Sequence, residues 1–168
     1  NIVLNTFDVA YNIIGGGEEG GKKNIRTKEE ADHSLPYMMS AILLDGNVLP
    51  AQYAPERILK DDIQSLLQKV QVVEKKEYSD RFPFEMAVDI SIKFKGGKVL
   101  HVSKKDYEGF HSRPASWDFI TGKFRNLTDP FIDEQLQKEI ISIVRDLENY
   151  RIKDLMGVLE RVGLNQLK

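Results

Sequence analysis

His33, Ser34 and Tyr37 stand together at the head of an apolar run, Met39 to Leu44, that closes on Asp45-Gly46. Ser34 has the side-chain oxygen a helix N-cap needs, and Pro36 is tolerated in a first turn because its missing donor would be unpaired there. Asp45-Gly46 marks the stop. Histidine titrates near neutral pH, so His33 can serve as acid, base or hydrogen-bond donor. A helix N-terminus adds unpaired N–H groups and the positive end of the dipole, which suit a carboxylate or a phosphate. The expectation is a site for an anionic small molecule, with Tyr37 close enough to the same helix end to bond a ligand oxygen.

A second candidate is Gly109-Phe110-His111-Ser112-Arg113-Pro114. Glycine and proline bracket two groups suited to binding, and an arginine can hold a carboxylate with two parallel hydrogen bonds. The remaining histidine, His101, lies between Leu100 and Val102 in a strand-like run and reads as an edge side chain. Lys22, Lys23 and Arg26 read as solvated surface. Asp61-Asp62 and Asp133-Glu134 fall where helices should start, and there negative charge favours the dipole. Neither pair has metal-ligand spacing, so no metal and no cofactor is expected.

Positioning these groups requires a folded core, and 168 residues with 41% hydrophobic and 30% charged content suffice for one globular domain. A net charge of −2 and a pI near 6.0 argue against a nucleic-acid partner, which would call for a basic face. The chain has no cysteine, so it has no disulfide framework or thiolate metal site, which fits a cytoplasmic location. No apolar run approaches the roughly 20 residues that span a bilayer, and no membrane association is expected. The chain opens on Asn1 and enters a strand-like run at once, which suggests a piece of a longer polypeptide.

Alternation from Ile2 to Ile14 predicts a first strand, and Gly15 to Gly21 a loop. Thr27 to Glu30 has capping-box spacing, with a helix from Ser34 onward that is apolar nearly all round and therefore central to the core. Ile63, Leu66, Leu67 and Val70 predict another helix, followed by a strand over Val70 to Glu74. Met86 to Phe94 and Val99 to Ser103 flank Gly96-Gly97 as a hairpin. Trp117 to Leu127, Leu136 to Leu147 and Ile152 to Val162 predict three helices, the second opened by Asp129-Pro130. The order reads as α+β: a four-stranded, mainly antiparallel sheet with helices on one face.

The stretch TKEEADHSLPYMMSAILLDGNVLPAQYAPERI (Thr27 to Ile58) resembles the second, smaller domain of the 2-methylcitrate dehydratase family, also called MmgE/PrpD. KVQV (Lys69 to Val72), GFHSRP (Gly109 to Pro114), GKFR (Gly122 to Arg125) and the closing helix pair continue the likeness over nearly the whole chain. The resemblance implies one α+β small domain over residues 1–168, cut from a protein whose large helical domain supplies the other wall of an interdomain active site. It implies removal of water from 2-methylcitrate to give 2-methylaconitate, without the iron–sulfur cluster of aconitases. His33 would be catalytic, and Ser34, Tyr37, His111 and Arg113 would bind the polycarboxylate. Family members usually read Gly-His where this chain has Gly109-Phe110, which moves weight from His111 to Arg113. The full-length protein would be a homodimer. Cis-aconitate decarboxylation, polycarboxylate epimerisation and a non-catalytic binding or oligomerisation module are the alternatives.

Overall fold

Ile2, Leu4 and Thr6 are buried and Val3 and Asn5 half-buried, which sets β1 (Ile2–Thr6) as a strand with one inward face in the computed structural model, which describes residues 1–164. The alternation predicted to run to Ile14 breaks at Phe7. Asp8–Ala10 forms a single helical turn (α1), and Tyr11–Gly15 continues it as a wider π-type turn closed by Gly16. Val9 and Ile13 lie four residues apart, so the same apolar residues satisfy a helical period once the ladder partners run out.

Val70–Glu74 (β2) pairs parallel with β1, while Val88–Lys93 (β3) and Val99–Lys104 (β4) form the predicted hairpin, giving the order β2-β1-β3-β4. One parallel and two antiparallel pairs make a mixed, mainly antiparallel α+β sheet. The register lines up Val70, Ile2, Ile92 and Leu100 in one row and Val72, Leu4, Ile90 and Val102 in the next. The residues between them make the opposite face polar, with Asn5, Asp89 and Ser103 in register.

The apolar face is covered by Leu35, Met39 and Leu66, on helices whose start is set just upstream. Thr27 caps α2 (Lys28–Asp32) with the complete capping box its spacing predicted: its hydroxyl accepts from Glu30 N–H, and the Glu30 carboxylate accepts from Thr27 N–H. Ser34 then caps α3 (Leu35–Asp45), which ends on Gly46 at φ 79°, a conformation glycine adopts without strain. Met39 packs with Ile2, Leu4 and Val70, and Tyr37 and Ala41 pack with Ile25, Ile58, Ile63 and Leu67. Full burial of the Ile, Leu, Val and Met side chains among these is worth about 1.5–3 kcal/mol each.

The helix is not buried all round. Ile42, Leu43 and Leu44 are each more than two-fifths exposed. The last turn is held instead by charge: Arg57 donates to both Asp45 carboxylate oxygens (2.8 and 2.9 Å) and to Asp62 (2.8 Å). This joins α3 to α4 (Pro55–Ile58) and α5 (Asp61–Leu67).

The chain divides into two compact units, one ending at Arg113 and one beginning at Pro114. The second holds α7 (Trp117–Thr128), α8 (Glu134–Arg145) and α9 (Ile152–Leu164), after the short α6 (Lys76–Ser79) of the first. Asp129 and Pro130 do not open α8. Asp129 closes α7, and the α8 cap is Asp133, whose carboxylate accepts from Leu136 N–H at 2.8 Å. The later start lets Ile132, Leu136 and Ile140 share one buried face.

Candidate active site

His33 sits where α2 ends and α3 begins, with its side chain 61% exposed. Its Nδ1 lies 2.6 Å from an Asp32 carboxylate oxygen and 3.0 Å from Glu29 O. Both neighbours are acceptors, so Nδ1 carries the proton and the lone pair of the neutral ring is on Nε2. Asp32, reinforced by Glu29 O, raises the His33 pKa above its usual value. Asp32 also accepts from Lys28 Nζ at 2.8 Å, and the lysine first, then the histidine, holds its carboxyl below the ordinary range. Lys28, Asp32 and His33 are thus one charged cluster. The i,i+4 spacing of Lys28 and Asp32 was the sequence signal that could have placed the lysine here.

Ser34 and Tyr37 are tied into the fold. Ser34 is fully buried; its hydroxyl donates to Lys22 O at 2.7 Å and accepts from Tyr37 N–H at 3.1 Å. With that donor taken and Pro36 lacking one, the first turn of α3 retains little to offer an anion. Tyr37 is also fully buried, its hydroxyl donates to Gln52 O, and burial pushes the phenol up. Lys22 is only 15% exposed and Lys23 donates to Gln68 O, so two of the three cations read as solvated surface are fastened to the chain.

The loop after β4 is built around Gly109 and Phe110. Gly109 takes φ 101°, and its N–H donates to Arg113 O at 2.8 Å. Arg113 N–H returns a bond to Phe110 O at 2.9 Å. Phe110 is 8% exposed and packs on Tyr107, so it is the loop's apolar anchor. His111 is displaced to the surface, its ring 4.2 Å from that of Phe110 and its Nε2 donating to Phe84 O at 3.2 Å.

Arg113 is half exposed and reaches Asp106 loosely, at 3.6 Å. Asp106 also accepts from Ser112 at 3.1 Å, a brace that sequence reasoning missed. The His33 cluster and this loop share no hydrogen-bond partner among the described residues. His101 lies on β4, 3.0 Å from Ser91 Oγ. No group of three or more metal-ligating residues occurs among the described residues, and no described helix is long and apolar enough to cross a membrane.

The profile of the MmgE/PrpD C-terminal domain matches residues 1–149, which include both candidate clusters. The chain belongs to the MmgE/PrpD family. Among curated proteins, this MmgE/PrpD chain is similar to the cis-aconitate decarboxylase of Mus musculus (24% identical over 123 residues) and that of Homo sapiens (28% over 126 residues). Each match takes in 73% of the chain and 25% of the relative, so the chain spans about a quarter of the length of the curated relatives it matches.

Proposed function

We propose that this MmgE/PrpD chain forms one wall of a polycarboxylate site in a lyase, and that the first reaction to test is dehydration of 2-methylcitrate. The observation that carries this reading is His33: an exposed imidazole whose tautomer is set by Asp32 and Glu29 and whose Nε2 faces no protein partner among the described residues. Dehydration takes a proton from the carbon beside a carboxylate and delivers one to the departing hydroxyl, which leaves as water. Positioned acids and bases contribute typically 10²–10⁴-fold to such steps.

A raised pKa keeps His33 protonated further toward neutrality, which favours it as the acid or as a donor to a substrate oxygen. Arg113 binds a second carboxylate, with His111 beside it. Ser34 and Tyr37 contribute by holding the start of α3 in place, since their hydroxyls are already engaged. The remaining catalytic groups come from a large helical domain of the whole protein, which acts as a homodimer.

Decarboxylation of cis-aconitate is the second reading, favoured by the names of the mouse and human relatives. The test is an ultraviolet assay of the intact protein. Absorbance growth with 2-methylcitrate supports dehydration, and carbon dioxide release from cis-aconitate supports the second reading. Neither signal from folded protein defeats both.

A further inference from the structure

A polar cavity of about 300 Å³ is lined by Tyr78, Arg81 and Ala87 from the segment before β3, and by Ser103, Lys104 and Lys105 from the end of β4. That volume is at the small end of the range for ligand pockets, and half of its lining residues are cationic. Lys104 and Lys105 form no ion pair among the described residues. Arg81 donates to Glu85 at 2.7 Å and to Glu77 O at 3.0 Å, which uses two of the guanidinium's five N–H donors. Two acids offset this charge, Glu85 on Arg81 and the Asp89 carboxylate behind Tyr78.

The wall behind these cations is fixed. Tyr78 donates to Asp89 at 2.6 Å, and Asp89, 7% exposed, also accepts from Asn5 at 2.9 Å. The bond to Asp89, with burial, pushes the Tyr78 phenol up to about 12, so the ring stays neutral and adds no negative charge to the cavity. Arg81 lies over that ring, 5.0 Å from its centre. Ser79 Oγ accepts from Asp8 N–H at 2.9 Å, and Phe82 stacks on Phe7 with centres 4.7 Å apart. The register pairs Asp89 with Ser103, which brings a hydroxyl to the same polar face. Arg81, held over a ring and by Glu85, is a prearranged donor at a concave wall, while the exposed Lys105 beside it is free to turn toward an anion and is ordered when one enters.

We propose that this cavity binds a small, multiply charged oxyanion, gripped by Arg81 and Lys105 with Ser103 as a hydroxyl donor; Lys104, one residue on from Ser103 in β4, lines it from the backbone side. Phosphoryl and polycarboxylate compounds share that chemistry. The site is separate from the proposed role of His33 and does not depend on it.

Calorimetric titration of the intact protein at low ionic strength, with inorganic pyrophosphate in one arm and citrate in the other, tests the proposal. The expected result is binding of at least one probe that weakens at least tenfold in an Arg81→Gln, Lys105→Gln double variant and persists in His33→Ala. Glutamine keeps a polar, uncharged side chain, and an unchanged melting temperature would show that the variant is folded. Pyrophosphate binding with this pattern assigns a phosphoryl ligand, and citrate binding with it assigns a carboxylate. Added salt should weaken either, because the attraction is between partly exposed charges. Binding of neither probe, or binding that the double variant weakens less than threefold, overturns the proposal.

Discussion

His33 and His111 are both exposed histidines bonded to a backbone carbonyl, yet their surroundings differ. His33 shares its Nδ1 proton with a carboxylate that is itself held by Lys28, so its proton affinity is set by neighbouring charge. His111 rests on Phe84 O and the Phe110 ring, in a loop closed by backbone hydrogen bonds. The difference teaches that a fixed carboxylate beside an imidazole sets which nitrogen holds the proton and how tightly, whereas a carbonyl and a ring face hold His111 by position alone.

The sharpest break between the two regions is His33→Ala in the intact protein. Turnover should fall by about 10²-fold, within the range for loss of a positioned acid or base, while the melting temperature barely moves. Wild-type turnover would remove His33 from the chemistry. Arg113→Ala should act on the other half of the comparison, raising KM by about tenfold with kcat nearly unchanged, as expected for lost ground-state carboxylate binding. A fall in kcat at constant KM would reverse the assignment.

Tyr37→Phe separates support from contact. Removing the hydroxyl leaves Gln52 O short of a partner and should cost about 1–3 kcal/mol in denaturant unfolding, with KM unaltered. A raised KM in a protein of normal stability would instead show that the phenol meets substrate. The smallest effect is expected from Asp32→Asn, followed by NMR titration of the His33 ring.

Asp32 is the first cause of the raised value, so the variant should titrate closer to about 6.5. Because the folded value lies above the unfolded one, the contribution of His33 to stability is present in full below the unfolded value. It is lost as pH rises through the folded value. In Asp32→Asn that loss should begin at lower pH, and an unshifted ring would mean that the carboxylate does not tune it.

Much of the scaffold was legible because it rests on local rules. The Ser34 cap, the Gly46 stop, the Thr27 capping box and the Gly96-Gly97 hairpin are written in adjacent residues, and each forms as its spacing predicts. The errors fall where two local readings were equally good. Asp8 to Gly15 satisfies a strand period and a helical one, and only the end of the β2 and β3 partners stops β1 at Thr6. Asp129-Pro130 and Asp133-Glu134 are both acceptable helix starts, and burial of Ile132 beside Leu136 selects the second.

The sequence by itself determined the α+β class, the family, and the two segments on which His33 and Arg113 lie, because periodicity, caps and turns act over a few residues. Tertiary structure alone decided which of those side chains are available. Ser34 and Tyr37 have the same hydroxyl chemistry on paper as any surface serine or tyrosine, yet Lys22 O and Gln52 O, distant along the chain, have already claimed them. Likewise, Arg81, Ser103 and Lys105 become neighbours only when the segment before β3 folds against the end of β4. Hydrogen bonding and charge depend on distance in space, and the sequence states only distance along the chain.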